Sequence, residues 1–268
     1  QEEHQNPAYS AATAGGLLGL DYYGVEDGLM GAALCFAKSS IDQHGHAGKN
    51  SIDYYAATLY GTAYIGDGYL EAGLAGALNH IENKRHIRFP QVGLPPFDET
   101  AKSAYWAVQM APHLAGGYDV NFSWQTVEFF ASLDYNFFFL PSFSESKADP
   151  LNMGQEKSFP QLFRSEAGIN WYQLCRTSFG DIIFRETLSY INKKPFHVGY
   201  IDAHIVGYPP EFTVDSFTHD QSLISPGFEF LYRAQHGSFI SFTYRGEFQW
   251  SLSHYISNNV LAKLGVYF

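Results

Sequence analysis

Two pairs of side chains in this chain have residue types that could do chemistry. His44 and His46 stand in the sequence HGH and could bind a metal ion, while Asp202 and His204 could join a serine in a catalytic triad. The histidines of the HGH sequence have no nearby cysteine or glutamate, and the chain contains no G-x-S-x-G nucleophile elbow. We therefore predict no metal site, no cofactor and no enzymatic activity.

The cysteines and the charge balance exclude further classes of protein. Cys35 and Cys175 are too few for a disulfide framework or a four-cysteine zinc site, and we expect them to be free thiols on different strands. The chain carries 16 Lys+Arg against 27 Asp+Glu, a formal net charge of −11, and has no basic run, so we expect it to bind nucleic acid poorly.

A larger set of charged residues occupies every second position of strand-like segments. In residues 240–250, Ile240, Phe242 and Tyr244 begin one face, while Arg245 and Glu247 lie on the other. A period of two is typical of a β-strand with two different faces. Across the chain, the charged face contains Asp21, Glu71, Glu128, Asp134, Arg185, Glu229, Arg233, Arg245, Glu247 and Lys263.

Eleven segments have this alternating pattern. Most approach the length of about 9–11 residues that a tilted transmembrane strand needs, whereas strands of soluble proteins average about five or six. The pattern therefore favours a membrane barrel over a soluble sandwich. The segments are 16–23, 29–37, 53–64, 69–79, 103–114, 127–137, 166–175, 181–191, 227–233, 240–250 and 260–268.

The predicted connections alternate between short and long. Turns at 24–28, 66–68, 115–123, 176–180 and 234–238 follow the odd-numbered strands. Longer connections at 38–52, 80–102, 138–165 and 192–221 follow the even-numbered strands, and 251–258 is intermediate. Outer-membrane barrels sort their loops in this way, whereas a Greek-key sandwich has no reason to do so.

Average hydropathy hides the two faces. The mean hydropathy is −0.19, and no stretch approaches the roughly 18–20 apolar residues of a spanning helix. Residues 1–14 lack the basic and apolar regions of a signal peptide. We predict that the charged face lines a polar lumen and that the apolar face meets lipid.

Aromatic residues make up 17% of the chain, and the candidates for interfacial girdles are Tyr22, Tyr23, Tyr64, Tyr69, Trp250 and Tyr267.

The odd strand count indicates one further strand. Single-chain bacterial barrels have even strand numbers, so we expect twelve. The missing strand lies either upstream of Gln1 or within 197–206 or 212–217. We favour the upstream position and expect 197–206 to be loop, because a strand there would break the alternation of short and long connections.

The ordered pieces of the chain resemble the translocator β-domain of autotransporters, the type V secretion proteins. They are GGLLGLDYY (15–23), DYYAATLYGTAYIGDGYLEAGL (53–74), Arg85, RSEAGINW (164–171), SPGFEF (225–230), YRGEF (244–248) and VLAKLGVYF (260–268). The richness in aromatic residues is also similar to that of the polymorphic outer-membrane-protein type. The resemblance implies a twelve-stranded barrel with a linker through its lumen and an N-terminal passenger outside the cell. No recognisable linker helix or passenger precedes Gly15, which departs from the family pattern.

The end of the chain resembles the signal that the barrel-assembly machinery reads. The terminal Phe268 follows apolar residues at every second position, namely Val260, Ala262, Leu264 and Val266. The resemblance thus implies the barrel-assembly machinery as a partner and a C-terminus in the periplasm.

These observations lead to one prediction and two alternatives. We predict an all-β antiparallel transmembrane β-barrel over residues 15–268, with 1–14 as an N-terminal segment or external loop. It is a monomer in the outer membrane of a Gram-negative cell, and its partners are membrane lipid, the assembly machinery and its own passenger or linker. A small porin or structural barrel without a passenger is the first alternative. A soluble β-rich binding protein or enzyme is the second.

Overall fold

The computed structural model describes residues 9–24, 28–43, 48–90, 95–196, 200–208, 211–215, 220–249 and 255–266. Nearly all of these residues lie in strands. The strands are β1 (Tyr9–Gly24), β2 (Gly28–Gln43), β3 (Gly48–Ile65), β4 (Gly68–Phe89), β5 (Phe97–Asn121), β6 (Gln125–Phe139), β7 (Phe143–Ser144), β8 (Met153–Gln155), β9 (Gln161–Thr177), β10 (Gly180–Phe196), β11 (Tyr200–Ile205), β12 (Glu211–Asp215), β13 (Gln221–Ala234), β14 (Ser238–Gln249) and β15 (Ile256–Val266).

Eleven strands form one curled antiparallel sheet, which we call the barrel sheet. Its order is β1-β2-β3-β4-β5-β6-β9-β10-β13-β14-β15, so it is a meander with β1 and β15 at its two ends. All eleven predicted segments are strands of this sheet, which confirms the all-β antiparallel barrel fold. The twelfth strand stays a prediction. Within the described ranges no helix is long and apolar enough to cross a membrane.

Tight turns fix the register of the sheet. Gly66 has a φ of 60° in the turn that joins β3 to β4, and this left-handed conformation suits a residue without a Cβ atom. The turn sets Ile65 opposite Gly68, which in turn places Thr62 opposite Glu71. Since side chains alternate faces along a strand, the turn also decides which residues share a face.

The two faces of the barrel sheet have the reverse of the burial found in soluble proteins. On the outer face of strands that have a neighbour on each side, Leu59 is 67% exposed and Leu188 is 61% exposed, whereas Glu128 and Glu166 on the inner face are 4% and 5% exposed. Buried carboxylates inside a shell of exposed leucines indicate a polar interior and an apolar solvent outside. The outer face includes Leu20, Met30, Leu34, Leu59, Leu74, Leu78, Trp106, Val108, Met110, Phe129, Ile169, Leu188, Ile240, Phe242 and Val260.

The strands extend beyond their predicted ends on the side of the long connections. β4 runs to Phe89 and β5 begins at Phe97, so the prediction that 80–102 is a loop is wrong over most of its length. The same correction applies to 38–52, since β2 continues to Gln43 and β3 begins at Gly48. Backbone pairing persists there although the outward side chains change from apolar to charged.

Two further boundaries differ from the sequence prediction. β5 reaches Asn121, so most of the predicted turn 115–123 is strand and the connection to β6 is only 122–124. β1 begins at Tyr9, inside the segment 1–14 that the sequence analysis set apart from the barrel. Alternation is weak in both places, because glycine and alanine are frequent there.

A second, four-stranded sheet has the order β12-β11-β8-β7. Its strands come from the two connections β6–β9 and β10–β13, and we call it the cap sheet. The prediction that 197–206 is loop is wrong for Tyr200–Ile205, which form β11. The strand is not part of the barrel sheet, however, because β10 pairs directly with β13.

Aromatic side chains mark one edge of the apolar band. Phe36 and Tyr55 have ring centroids 5.3 Å apart, and Trp106 lies 6.1 Å from Tyr55 and 4.9 Å from His80. These rings occupy the outer face where it becomes charged, as an interfacial girdle does. We call this end of the sheet the long-connection end.

The predicted girdle residues are only partly on the outer face. Tyr22 points outward and is 67% exposed. Tyr23, Tyr64 and Tyr69 share the register of the inward positions, so their assignment to the girdle is wrong. Trp250 and Tyr267 lie outside the described residues.

Candidate functional site

Polar side chains cover the concave inner face of the barrel sheet, which we call the lumen face. Residues paired across antiparallel strands point to the same side, so each register row gives a band of side chains across the face. One such row runs through Asp21, Gly31, Tyr60, Gly73, His113, Asp134, Arg164, Lys193 and Gln221.

A buried carboxylate on β6 organises one part of the lumen face. Glu128 accepts hydrogen bonds from the hydroxyl of Tyr69 at 2.6 Å, from the amide of Asn170 at 3.0 Å and from the hydroxyl of Tyr172. Thr187 in turn donates to Asn170 at 2.6 Å. Three donors satisfy a carboxylate that would otherwise be costly to bury, and they join β4, β6, β9 and β10.

A chain of charges crosses the middle of the lumen face. Asp134 lies 2.6 Å from His113 Nδ1 and 2.8 Å from Arg164 Nη1. Arg164 Nη2 is 2.6 Å from Glu166, and the other ring nitrogen of His113 is 3.5 Å from Glu71. The Arg164 guanidinium between two carboxylates offsets their desolvation, and these contacts bind β4, β5, β6 and β9 into one network.

The network continues across the lumen to β14. Arg245 binds Glu166 on β9, although β10 and β13 lie between them in the sheet. The same guanidinium donates from Nε to Ser225 Oγ at 2.8 Å and from Nη2 to Ser189 Oγ at 3.1 Å. Such contacts between strands that are not neighbours are possible only because the sheet curls and its side chains converge.

Two further ion pairs complete the lumen face. Lys193 Nζ lies 2.5 Å from Glu247, and Arg185 Nη2 lies 2.5 Å from Glu229. The Arg185 guanidinium also lies 6.0 Å from the centre of the Tyr172 ring, within the range of a cation–π contact.

Glycines on the lumen face let tyrosines reach across a neighbouring strand. A Cβ atom on Gly31 would lie 2.3 Å from the ring of Tyr60, which crosses this glycine to donate to Asp21. A Cβ atom on Gly117 would lie 2.5 Å from the ring of Tyr69. Both tyrosines thus bond to a carboxylate two strands away, because the intervening residue has no side chain.

The cap sheet is attached to the lumen face at the long-connection end. Arg85 on β4 binds Glu145 through Nε at 3.0 Å and Nη2 at 2.5 Å, and it donates to the carbonyl of Leu151 at 2.8 Å. The ring of Phe143 stacks on Tyr105 with centroids 4.4 Å apart. The connection β6–β9 therefore folds over the inner surface of β4 and β5 rather than away from it.

The predicted charged residues occupy the lumen face, but only some are brought together. Asp134 and Glu71 share His113, Arg185 pairs with Glu229, and Glu128, Arg245 and Glu247 belong to the contacts above. Asp21 binds Tyr60 near the end strand. Arg233 lies at the short-turn end, and Lys263 is exposed on β15.

Sequence reasoning missed several residues that hold this site together. Arg164 and Lys193 each lie two residues outside a predicted segment, and Glu166 is the first residue of the segment 166–175. His113 and Tyr69 fit the inward period, but a pattern of charged residues does not include histidine or tyrosine, and Tyr69 is predicted instead as a girdle residue. The signal that would have found them is the register set by the short turns.

The residue pairs considered for chemistry do not form a recognisable site. Asp202 and His204 lie on β11 of the cap sheet, where the His204 ring fills the space beside Gly154. His44 and His46 lie outside the described residues. Cys35 and Cys175 are both free. Among the residues that the structure describes, no three His, Cys, Asp or Glu side chains are grouped to hold a metal ion.

The candidate assembly segment forms the last strand of the barrel sheet. Val260, Ala262, Leu264 and Val266 lie on the outer face of β15, which pairs on one side with β14. Phe268 lies outside the described residues. Its role, like that of the other residues of the segment, stays a prediction.

Known proteins place this architecture in a family. The family model described as autotransporter beta-domain matches residues 1–192. The translocator domain of the autotransporter NalP from Neisseria meningitidis is similar in structure, with a TM-score of 0.76, 14% identity, and coverage of 97% of this chain and 81% of that one. The beta domain of the Bordetella autotransporter BrkA has a TM-score of 0.67 and 14% identity over 97% of this chain and 93% of that one. No curated protein matches the sequence significantly. By the match to the family model, the chain belongs to the autotransporter β-domain family, whose members are translocator barrels of the Gram-negative outer membrane.

Proposed function

We propose that this barrel exports or displays an N-terminal passenger and anchors it in the outer membrane. The observation that carries the proposal is the inverted burial of the barrel sheet, with Glu128 and Glu166 inside and Leu59 and Leu188 outside. A polar lumen offers hydrogen-bonding partners to an extended polypeptide that could not cross lipid by itself. The mechanism is physical, and we propose no bond chemistry.

The lumen face is better suited to the passage of a polypeptide than to ion conduction alone. Its ion pairs bind groups from several strands to one another, which keeps the wall rigid while a chain moves past it. Donors and acceptors of both signs line the path, so the wall has no strong preference for one peptide charge. We propose that the same wall holds a linker once the passenger has crossed.

The long-connection end faces the outside of the cell in this proposal, and the C-terminus lies in the periplasm. Long loops on the outside and short turns in the periplasm are typical of bacterial barrels. β15 ends at the short-turn end, close to the turn after β13, which agrees with a periplasmic terminus. We propose that the barrel acts as a monomer.

A surface-display assay tests the proposal. An epitope tag is inserted directly N-terminal to Gln1. Protease added to intact cells should cleave this tag, while a periplasmic marker stays protected. The control is the same tag fused behind a signal peptide, without the barrel. A tag that stays protected, although the barrel is heat-modifiable and membrane-inserted, would exclude export and favour a porin or structural barrel. A protein that stays monodisperse without detergent would exclude both.

We further propose that residues 260–268 are read by the barrel-assembly machinery. Deletion of Phe268 should lower the amount of folded barrel in the outer membrane severalfold, and Phe268→Trp should restore it because it keeps an aromatic terminus. Equal amounts of folded barrel with and without Phe268 would contradict this role.

A further inference from the structure

Three lysines lie side by side on the outer face of the barrel sheet. Lys49 on β3 pairs in register with Lys84 on β4, and Lys84 pairs with Lys102 on β5. Side chains directly opposite in an antiparallel pair have Cβ atoms about 5 Å apart, and like charges there destabilise the sheet. We call these residues the lysine row. An anion bound between the lysine side chains would offset this repulsion.

The lysine row points outward and is open to solvent. Lys84 shares its face with Leu74 and Leu78, whereas Ser103, which neighbours Lys102 along β5, is buried on the inner face. The side chain of Lys49 is 56% exposed. The ammonium groups are therefore available to a partner outside the barrel.

Nearby carboxylates pair with only one member of the row, Lys49. Asp42 pairs with Lys49 at 3.3 Å, Asp53 pairs with Lys38 at 2.9 Å, and Asp98 is held by His86 and Arg88. Within the described part of the chain, neither Lys84 nor Lys102 has a carboxylate at ion-pair distance. Glu82, two residues from Lys84 on the same face of β4, is the remaining outward acid of this strand in the region, and it lies opposite Ser51 and Ala104.

The height of the row selects the kind of anion. The row lies four residues beyond His80 and Trp106, which mark the girdle at the edge of the apolar band. At about 3.4 Å per residue and a strand tilt of about 40°, this is roughly 10 Å above the girdle. The polar headgroup layer of an ordinary bilayer is only about 5–8 Å thick. The height of the row therefore favours a lipid with a large phosphorylated sugar headgroup over a plain phospholipid.

We propose that the lysine row binds the phosphate groups of a glycolipid of the outer leaflet, the class to which lipid A belongs. The proposal rests on the proposed orientation, in which the long-connection end faces outward. Phosphates between Lys84 and Lys102 remove the like-charge repulsion, and the rings of Tyr55 and Trp106 lie below against the acyl chains. The bound lipid thereby holds β3, β4 and β5 together above the membrane.

The test compares two triple variants of the complete chain. Lys49, Lys84 and Lys102 are changed to Gln in one variant. In the matched control, Lys147, Lys157 and Lys194 are changed to Gln, which removes the same charge elsewhere on the protein. The probes are bisphosphorylated lipid A and the same lipid with both phosphates removed, each in non-ionic detergent micelles. Thermophoresis gives the affinity of each protein for each probe.

The expected result is selective loss of phosphate recognition. The wild type and the control should bind bisphosphorylated lipid A about 10- to 100-fold more tightly than the lysine-row variant, and high salt should reduce the difference. The dephosphorylated lipid should not distinguish the three proteins. Equal affinity of the lysine-row variant and the control for the bisphosphorylated probe would overturn the proposal.

Insertion of the wild type into lipid vesicles separates this proposal from the proposed function. A wild type that inserts while the lysine-row variant keeps full lipid A affinity overturns the lipid site alone. A wild type that does not insert overturns the membrane orientation and the lipid site together.

Discussion

The hydroxyl of Tyr69 on β4 donates a 2.6 Å hydrogen bond to the carboxylate of Glu128 on β6, although β5 lies between them. The ring passes over Gly117, the residue of β5 that stands opposite Tyr69 in the register. The pair shows how the inner wall is built. A contact between strands that are separated by a third strand stabilises the curl of the sheet, because its two side chains come within bonding distance only when the strands bend inward.

Replacement of Gly117 by Ala should break this contact. The new Cβ atom would lie 2.5 Å from the Tyr69 ring, which must swing away from Glu128. We expect a loss of about 1–3 kcal/mol in the free energy of unfolding, since a buried carboxylate loses one donor. Urea unfolding in lipid vesicles measures it. The matched control is Gly76→Ala on β4, where a Cβ atom meets no atom within 4 Å. Equal stability of the two variants would show that the contact contributes nothing.

Replacement of Arg164 by Met should destabilise the barrel and change its ion selectivity. Arg164 binds Asp134 and Glu166, and its loss leaves two carboxylates in the wall with less compensation. We expect a loss of roughly 1–3 kcal/mol and a shift of the pore towards cations, both relative to Arg88→Met. Arg88 points outward on β4, and its side chain is 69% exposed. Reversal potentials in planar bilayers measure the selectivity, and an unchanged reversal potential would contradict the assignment of Arg164 to the lumen.

Replacement of Arg85 by Gln should release the cap sheet from the inner face. The variant loses the bidentate pair with Glu145 and the bond to the Leu151 carbonyl. Hydrogen exchange should rise at the amides of Glu145 and Met153, while the barrel sheet keeps its protection. Arg88→Gln serves as the control, because Arg88 points outward and its side chain is 69% exposed. A rise of the same size in the control would contradict the role of Arg85.

An arginine should be tolerated on one face of β4 and costly on the other. Leu74 points outward in the middle of the apolar band, and Ala75 is its inward neighbour. Leu74→Arg should cost about 2–4 kcal/mol in lipid vesicles, whereas Ala75→Arg should cost less because the lumen face is polar. The difference should disappear in detergent micelles that let the charge reach water. The opposite order in vesicles would show that the faces are exchanged.

The eleven strands of the barrel sheet and their faces could be predicted because alternation is a local property, whereas the cap sheet was not predicted. Residues such as Phe242 and Arg245 reveal their faces from spacing alone, and Gly66 reveals a tight turn. The ends of the strands were harder to predict, since the outward row changes from Leu78 to His80 while pairing continues to Phe89. A pattern based on hydrophobicity ends there, although the hydrogen-bonded ladder does not.

The hydrogen bonds and ion pairs of the lumen face could be predicted only in part. Charges such as Glu128 and Asp134 stood out on the correct face. Their partners depend on the curl of the whole sheet, which brings Arg245 to Glu166 across two strands. The partners also depend on where a glycine leaves room for a side chain to cross, as Gly117 does for Tyr69. Neither the curl nor the position of such a glycine across the sheet can be inferred from the spacing of residues along one strand.

The central claim is that the apolar face of the barrel sheet meets lipid and the charged face encloses a polar lumen. Single fluorescent labels on cysteines at positions 74 and 75, in a background without Cys35 and Cys175, test it in vesicles. Lipids brominated in their acyl chains should quench the label at 74 and leave the label at 75 bright, while aqueous iodide should do the reverse. Quenching of the label at 75 by the brominated lipid, with the label at 74 open to iodide, would contradict the account.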